Sequence, residues 1–366
     1  MPSQSTIAPK GTGRLTTTAG SQYARVYGVG GYRPERVITN DEVCTWIESS
    51  DQWIRERSGI ETRRWAAPDE TVIDMAEKAA RDALSRSGID AAQLGAILVA
   101  TVTHPYQTPA AAPLLATRLG ANGAPAFDIS AACAGYCYGI SMASDLVRGG
   151  SAEYVLVVGV EKLSDFTDKH DRGTSFIFAD GAGAAIVGPS DHPAIGPTVW
   201  GSDGEAWDTI RQREPWTRIL DEWDAEHHGQ GPQDGREPHD RSAFGYGKDA
   251  TIAMKGQSVF RWAVWSMAPV AQQALDKAGI TAADLDAFIP HQANMRIIDQ
   301  MIKQLGMPAD IPVARDIAQT GNTSAASIPL ATERMLREGE APHGGLALQI
   351  GFGAGLVYAA QVIELP

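Results

Sequence analysis

Cysteine is scarce in this chain. Its 366 residues hold three, Cys44, Cys133 and Cys137, with no C-x-x-C spacing. An odd, unspaced set excludes a disulfide framework and a structural zinc centre. Long apolar runs are missing as well. The longest, such as Tyr154 to Val160 and Gly183 to Val187, fall far short of the roughly 18 to 20 residues that a bilayer helix needs, so no membrane span is expected. Positive charge is in deficit: 31 Lys and Arg against 44 Asp and Glu give a formal charge of −13. That balance excludes a general nucleic-acid binder, whose affinity rests on neutralising phosphates, although it leaves room for a local basic patch. The first 22 residues are rich in Ser, Thr, Gly and Pro and have no apolar stretch. They read as a flexible leader rather than a secretory signal, which points to a cytoplasmic protein.

What is present is a large apolar share, 43% of residues, in a chain about twice the length of an average domain. From Ala24 onward, short β-branched runs alternate with helical patterns at Asp41–Ile47, Asp51–Ser58 and Thr71–Ser87. Near-continuous apolar runs at Ala96–Thr101, Ala126–Ile129, Tyr154–Val160 and Ala184–Val187 predict strands covered by helices on both faces, as in a parallel α/β sheet. Sliding the chain on itself by 191 residues aligns Ala83–Ala96 with Ala274–Ala287, with eight identities in fourteen positions and no gap. Each copy reads as a helix end, a glycine stop, a capped turn and an apolar strand. The chain is therefore expected to be a duplicated α/β unit, with its seam between about residues 190 and 250 and its halves packed as pseudo-twofold partners.

Cys133 lies where the run Phe127-Asp128-Ile129 gives way to tiny residues and then to a helical pattern reaching Arg148. A helix N-terminus carries partial positive charge, which lowers a thiol pKa, and small neighbours admit a substrate. The alternative is a buried packing cysteine, which is the reading for Cys137. Of the eight histidines, His291 ends an apolar strand in the repeat and is the candidate partner, unless it is a satisfied core residue. His104, after the equivalent strand, competes with it. Asn322, before a run of small residues, is a candidate polar group or a helix N-cap. The run Gly351-Phe352-Gly353-Ala354-Gly355 lacks the third glycine, the following helix and the distant acid of a dinucleotide fingerprint.

These residues carry a resemblance. From about Ala24 to Pro366 the chain resembles a β-ketoacyl-acyl carrier protein synthase III of the thiolase superfamily. The matching segments are Ser50-Asp51-Gln52-Trp53-Ile54, Cys133-Ala134-Gly135, Asp171-Arg172-Gly173-Thr174, Pro290-His291-Gln292-Ala293-Asn294, Gly321-Asn322-Thr323-Ser324-Ala325-Ala326-Ser327 and the Gly351–Gly355 run. The resemblance implies a thiolase-like duplicated fold in α-β-α-β-α layers, with halves at 23–195 and 196–366. It further implies a Cys133, His291 and Asn322 triad, with the backbone N–H groups of Cys133 and Ala354 as oxyanion hole. Cys133 would take an acyl group from acyl-CoA. His291 and Asn322 would then stabilise the enolate formed as malonyl-acyl carrier protein loses carbon dioxide.

By the same resemblance, Trp53 and Arg172 would sandwich the adenine of coenzyme A, while Arg57 and Asn294 line the pantetheine and phosphate route. Phe352 would wall the reaction centre. Arg296 and Lys303, seven residues apart on one helix face, would dock the acidic carrier protein, although Gln304 replaces a third basic residue. A homodimer is implied, with no cofactor. Where some relatives carry a bulky Phe that closes the partner's acyl pocket, this chain has Thr108, which leaves room for branched or longer starters. An insertion within 205–249, with eleven acids against six Lys or Arg, is either a lid over the CoA entrance or a surface loop. A starter-loading or ester-forming acyltransferase and a noncatalytic acyl-CoA binder are the other functions this fold supports. Retention of Asn322 argues against the first and retention of Cys133 and His291 against the second. A dehydrogenase lacks its cofactor motif.

Overall fold

The computed structural model describes residue 11 and residues 13–219 and 250–366. The start of the leader and residues 220–249 of the expected insertion lie outside the described residues. The chain opens with β1 (Tyr23–Tyr32) and a small antiparallel ribbon, β2 (Arg36–Thr39) and β3 (Thr62–Trp65), followed by β4 (Leu94–Ala100), β5 (Ala126–Ile129), β6 (Tyr154–Lys162) and β7 (Asp180–Ser190). Five of these form one sheet in the order β1-β7-β6-β4-β5. The second half adds β8 (Val199–Ser202), a ribbon of β9 (Ile210–Gln212) and β10 (Ile252–Met254), then β11 (Ala287–Pro290), β12 (Leu346–Gly353) and β13 (Val357–Glu364). Its sheet runs β11-β12-β13-β8. The two orders correspond strand for strand, with the place of β5 taken by a parallel bridge from Phe288 to Val313.

The sheet expected to be parallel is mixed. β4 runs parallel to β5 and β6, whereas β7 is antiparallel to both of its neighbours. The continuous apolar runs record burial on two faces, which covering helices impose whatever the strand direction.

The sequence repeat marks the same corner in each half. Helix Val72–Ser87 stops at Gly88 (φ 69°) and helix Gly256–Ala278 at Gly279 (φ 75°), both in the left-handed region that glycine enters without strain. A short 3-10 turn follows each, closed by reciprocal capping between Asp90 and Gln93 or between Thr281 and Asp284, and leads into β4 or β11.

Helices Gly135–Arg148 and Ser327–Arg337 lie between the sheets, where Tyr136, Ile140, Ile328 and Met335 share one core with Val157 of β6 and Ala347 of β12. Cys137 belongs to this core, as a packing residue should. The outer face of the first sheet is covered by Val72–Ser87 and Ala111–Leu119, and that of the second by Gly256–Ala278 and Met295–Leu305. The layers are therefore α-β-α-β-α. Each central helix starts from a 3-10 turn whose first residue has a left-handed backbone: Ala132 (φ 43°) before one and Ser324 (φ 50°) before the other. Non-glycine residues pay strain in that region, and such strain concentrates at functional sites. Among the described residues no helix is long and apolar enough to cross a membrane.

Candidate active site

The two strained turns face one cavity of about 980 Å³, which Cys133, His291 and Asn322 all line. Cys133 sits in the Ala132–Ala134 turn, and the end of β12 passes directly over it. A Cβ placed on Gly353 would stand 3.0 Å from Cys133 Sγ, and one on Gly351 would stand 2.9 Å from the Cys133 carbonyl oxygen. These glycines are needed for that close approach. The expectation that the helix terminus lowers the thiol pKa is corrected: burial pushes Cys133 up to about 12, against hydrogen bonds from Ser324 and its own N–H that pull it down. Removing a thiolate from water outweighs the few donors that face it. Cys133 rests as a thiol.

His291 follows β11, and its Nδ1 lies 2.7 Å from Ser327 Oγ. The Gln292 N–H donates to that same oxygen at 3.3 Å. With the Ser327 hydroxyl donating to Nδ1, Nε2 is the protonated, donating nitrogen that faces the cavity. Burial pushes the imidazole down to about 3, so it remains neutral. Asn322 is oriented by the same logic. Its Oδ1 accepts the Ser324 N–H at 2.8 Å, which frees the Nδ2 amide to donate. It does not cap helix Ser327–Arg337, whose first turn has no side-chain cap. Its backbone is fixed by Gly321 (φ 68°, ψ −168°), where a Cβ would lie 2.7 Å from that of the fully buried Arg63. Only glycine occupies this region readily.

Around these groups, Phe352 stands edge-on to His291 with ring centroids 5.3 Å apart, and Ala354 continues the β12 chain along the cavity wall. Toward the mouth, the Arg172 guanidinium lies 4.8 Å from the Trp53 ring centroid and that of Arg57 lies 5.7 Å from it. Asn294 caps helix Met295–Leu305, its Oδ1 accepting the Arg296 N–H at 3.0 Å, while its Nδ2 donates to the Arg57 carbonyl at 2.9 Å.

Two segments of the chain match sequence models of one family. Residues 127–204 match 3-oxoacyl-[acyl-carrier-protein (ACP)] synthase III, and residues 275–365 match its C-terminal part. A β-ketoacyl-[acyl-carrier-protein] synthase III of Streptomyces avermitilis is 57% identical over 353 residues, covering 96% of this chain and 99% of that protein. The mycobacterial β-ketoacyl-[acyl-carrier-protein] synthase III of Mycobacterium bovis is 48% identical over 352 residues, covering 96% and 98%. The chain belongs to the β-ketoacyl-[acyl-carrier-protein] synthase III family. Among solved structures, the priming β-ketosynthase of the R1128 polyketide pathway superposes with a TM-score of 0.87 at 45% identity, covering 96% of this chain and 98% of that one. The Aquifex aeolicus synthase III follows at 0.80 and 34%, covering 93% and 99%.

Not every residue expected in this synthase III site reaches the cavity. Arg296 does, with its guanidinium 4.8 Å from the Phe260 ring centroid. Lys303 is exposed further along the same helix, away from the wall. Thr108 is exposed and does not line the cavity of its own chain. His104 packs on Tyr106, centroids 5.6 Å apart, and leaves the histidine position to His291. The described start of the insertion reaches the cavity: Ile210 and Arg211 of β9 line it, beside Ile252 of the paired strand β10, which lies just past the insertion. Sequence reasoning had singled out neither Ser324 nor Ser327, although both lie in a quoted segment, and it missed Glu161 entirely.

Proposed function

We propose that this synthase III condenses an acyl-CoA starter with malonyl-acyl carrier protein, through an acyl-Cys133 intermediate, to begin a fatty acid or polyketide chain. The observation that carries this reading is that Cys133 shares a cavity with two neutral donors, His291 Nε2–H and Asn322 Nδ2, each fixed by a bond on its other side. The sulfur attacks the starter thioester, its oxyanion held by the N–H groups of Cys133 and Ala354, and coenzyme A leaves. Malonyl-carrier protein then enters. His291 and Asn322 donate to its thioester oxygen as carbon dioxide departs, and the enolate carbon attacks the acyl-Cys133 carbonyl. Uncharged donors suit a buried site, because decarboxylation generates the nucleophile without a general base, and no metal or organic cofactor is needed. Trp53, Arg57, Arg172 and Asn294 bind coenzyme A, while Phe352 and the partner's counterpart of Thr108 bound the acyl pocket. A flat base enters between Trp53 and Arg172 once Arg172 swings outward.

Intact-protein mass spectrometry tests this reading. Incubation with acyl-CoA should add one acyl group, and malonyl-carrier protein should then discharge it with release of carbon dioxide. An adduct that malonyl-carrier protein leaves in place would defeat the condensation. The same experiment over a panel of starters measures the room left by Thr108, and strict acetyl preference would refute a wider pocket.

Arg296 at the cavity wall and Lys303 further along the same helix present positive charge on an otherwise acidic chain, as docking of an acidic carrier protein requires. Arg296→Glu should lower the second half-reaction about tenfold and spare acylation from acyl-CoA. Equal losses in both half-reactions, measured separately, would remove the docking role. We also propose that the enzyme acts in the cytoplasm as a homodimer, its halves dividing at 195/196. Support for the dimer comes from β5, an edge strand with Phe127, Tyr106 and Leu114 exposed around it.

A further inference from the structure

The acylation step poses a proton problem. Cys133 rests as a thiol, yet no Asp or Glu among the described residues lines the cavity. His291 is a poor acceptor: its Nδ1 is bonded to Ser327 Oγ, and burial pushes the imidazole down to about 3. Asn322 presents an NH₂ group. The cavity wall does hold Ser324 beside Cys133, its hydroxyl close enough to pull the thiol pKa down. On its far side the same hydroxyl lies 3.1 Å from Oε1 of Glu161, a fully buried carboxylate near the end of β6.

The setting of Glu161 is asymmetric. Oε2 accepts three bonds, from Thr103 Oγ1 at 2.7 Å, the Val102 N–H at 3.1 Å and Thr101 Oγ1 at 3.2 Å. The threonine hydroxyls are committed as donors, since Thr103 Oγ1 accepts the Lys162 N–H and Thr101 Oγ1 accepts the Thr103 N–H. Oε1 is left with Ser324. Of the other titratable groups nearby, Lys162 and Asp180 are engaged elsewhere. The ammonium of Lys162 binds the carbonyls of Ala67 and Pro68, and Asp180 accepts from Ser164 and the Ala66 N–H. His104 packs at a tilt against Tyr106, and its buried Nδ1 has no hydrogen-bond partner among the described residues. A buried carboxylate without an ion pair among the described residues, one step behind the nucleophile, is costly in a structural role alone.

We propose that Glu161 accepts the Cys133 thiol proton through the Ser324 hydroxyl, a relay that rests on the reading of Cys133 as nucleophile. As the sulfur–acyl bond forms, the thiol proton passes to Ser324 Oγ and the Ser324 proton passes to Glu161 Oε1. The departing coenzyme A thiolate takes its proton from solvent. Glu161 stays protonated in the acyl-enzyme and returns the proton along the same path when condensation expels the Cys133 thiolate. One solvent proton is consumed per turnover, which balances loss of carbon dioxide from a malonyl carboxylate. The strained backbone at Ser324 (φ 50°) is what aims its hydroxyl between the two groups. Burial pushes Glu161 up to about 7. The accepting form is the anion, so acylation should be fast above about pH 7 and slow as the pH falls through it.

The test is single-turnover acylation, followed as coenzyme A release across pH, with the adduct mapped to its peptide. Glu161→Gln should slow acylation at pH 7.5 about 10²-fold, erase the acid limb and remove the solvent deuterium isotope effect. Ser324→Ala, which keeps the carboxylate in place, should do the same. If both variants bind acyl-CoA but keep the limb and the isotope effect, the relay is overturned while the nucleophile stands. An adduct mapped to a residue other than Cys133 in the wild type would instead remove the nucleophile reading itself.

Discussion

Cys133→Ala should yield no acyl adduct with any acyl-CoA, and condensation should fall by at least about 10⁴-fold. The reason is local. The described residues place no second thiol on this cavity: Cys137 points into the core between the sheets, and Cys44 lies in a separate cluster near Trp46 and Trp65. The alanine fits the space, since the change removes one atom from a turn already made of alanines. The donors opposite are untouched, because His291 and Asn322 are held by Ser327 and by the Ser324 N–H rather than by the sulfur. The variant should therefore still bind malonyl-carrier protein and release some carbon dioxide, uncoupled from condensation. Intact mass and carbon dioxide release, measured together, check this. An adduct that survives in the alanine variant would place the nucleophile elsewhere.

Asn322→Asp should show the opposite pattern. Acylation of Cys133 should persist, while decarboxylation of malonyl-carrier protein should drop about 10³-fold, the scale of losing one preorganised donor to an oxyanion. Aspartate keeps the oxygen that accepts the Ser324 N–H, so the loop retains its shape. What changes is the group facing the substrate: an amide donor becomes a second oxygen, with negative charge where the enolate must build its own. Gly321, packed against Arg63, fixes the backbone here, and the Ser324 N–H orients the side chain. Single-turnover discharge of the acyl-enzyme measures the effect. An equal loss in both half-reactions would mean that Asn322 shapes the cavity as a whole.

The architecture was legible early because duplication leaves two records of one plan. The aligned segments at Ala83–Ala96 and Ala274–Ala287 mark a corner whose glycine stop, capped turn and strand all recur in space. Strand direction was not legible, since apolar runs report burial and not polarity of the chain. Cys133, His291 and Asn322 were recognisable from their local segments. Their tuning was not: the proton on His291 depends on a Ser327 hydroxyl and a Gln292 N–H, which no one-dimensional pattern pairs. Glu161 was hidden for a related reason. It ends an apolar strand that reads as core, and its partners lie far away in sequence, at Thr101, Thr103 and Ser324. The thiol pKa was misjudged because a helix start is visible in sequence, whereas the depth at which it is buried is not.

The central pair of helices has a further consequence. Cys133 is carried by one half of the chain and the two donors proposed for the enolate, His291 and Asn322, by the other, so the distance between them is set by how Gly135–Arg148 and Ser327–Arg337 pack between the sheets. A displacement of about 1 Å between reacting groups can cost 10²-fold in rate. Catalysis in this enzyme is accordingly a gauge of the fit between its halves, and loosening that seam would slow turnover well before the fold gave way.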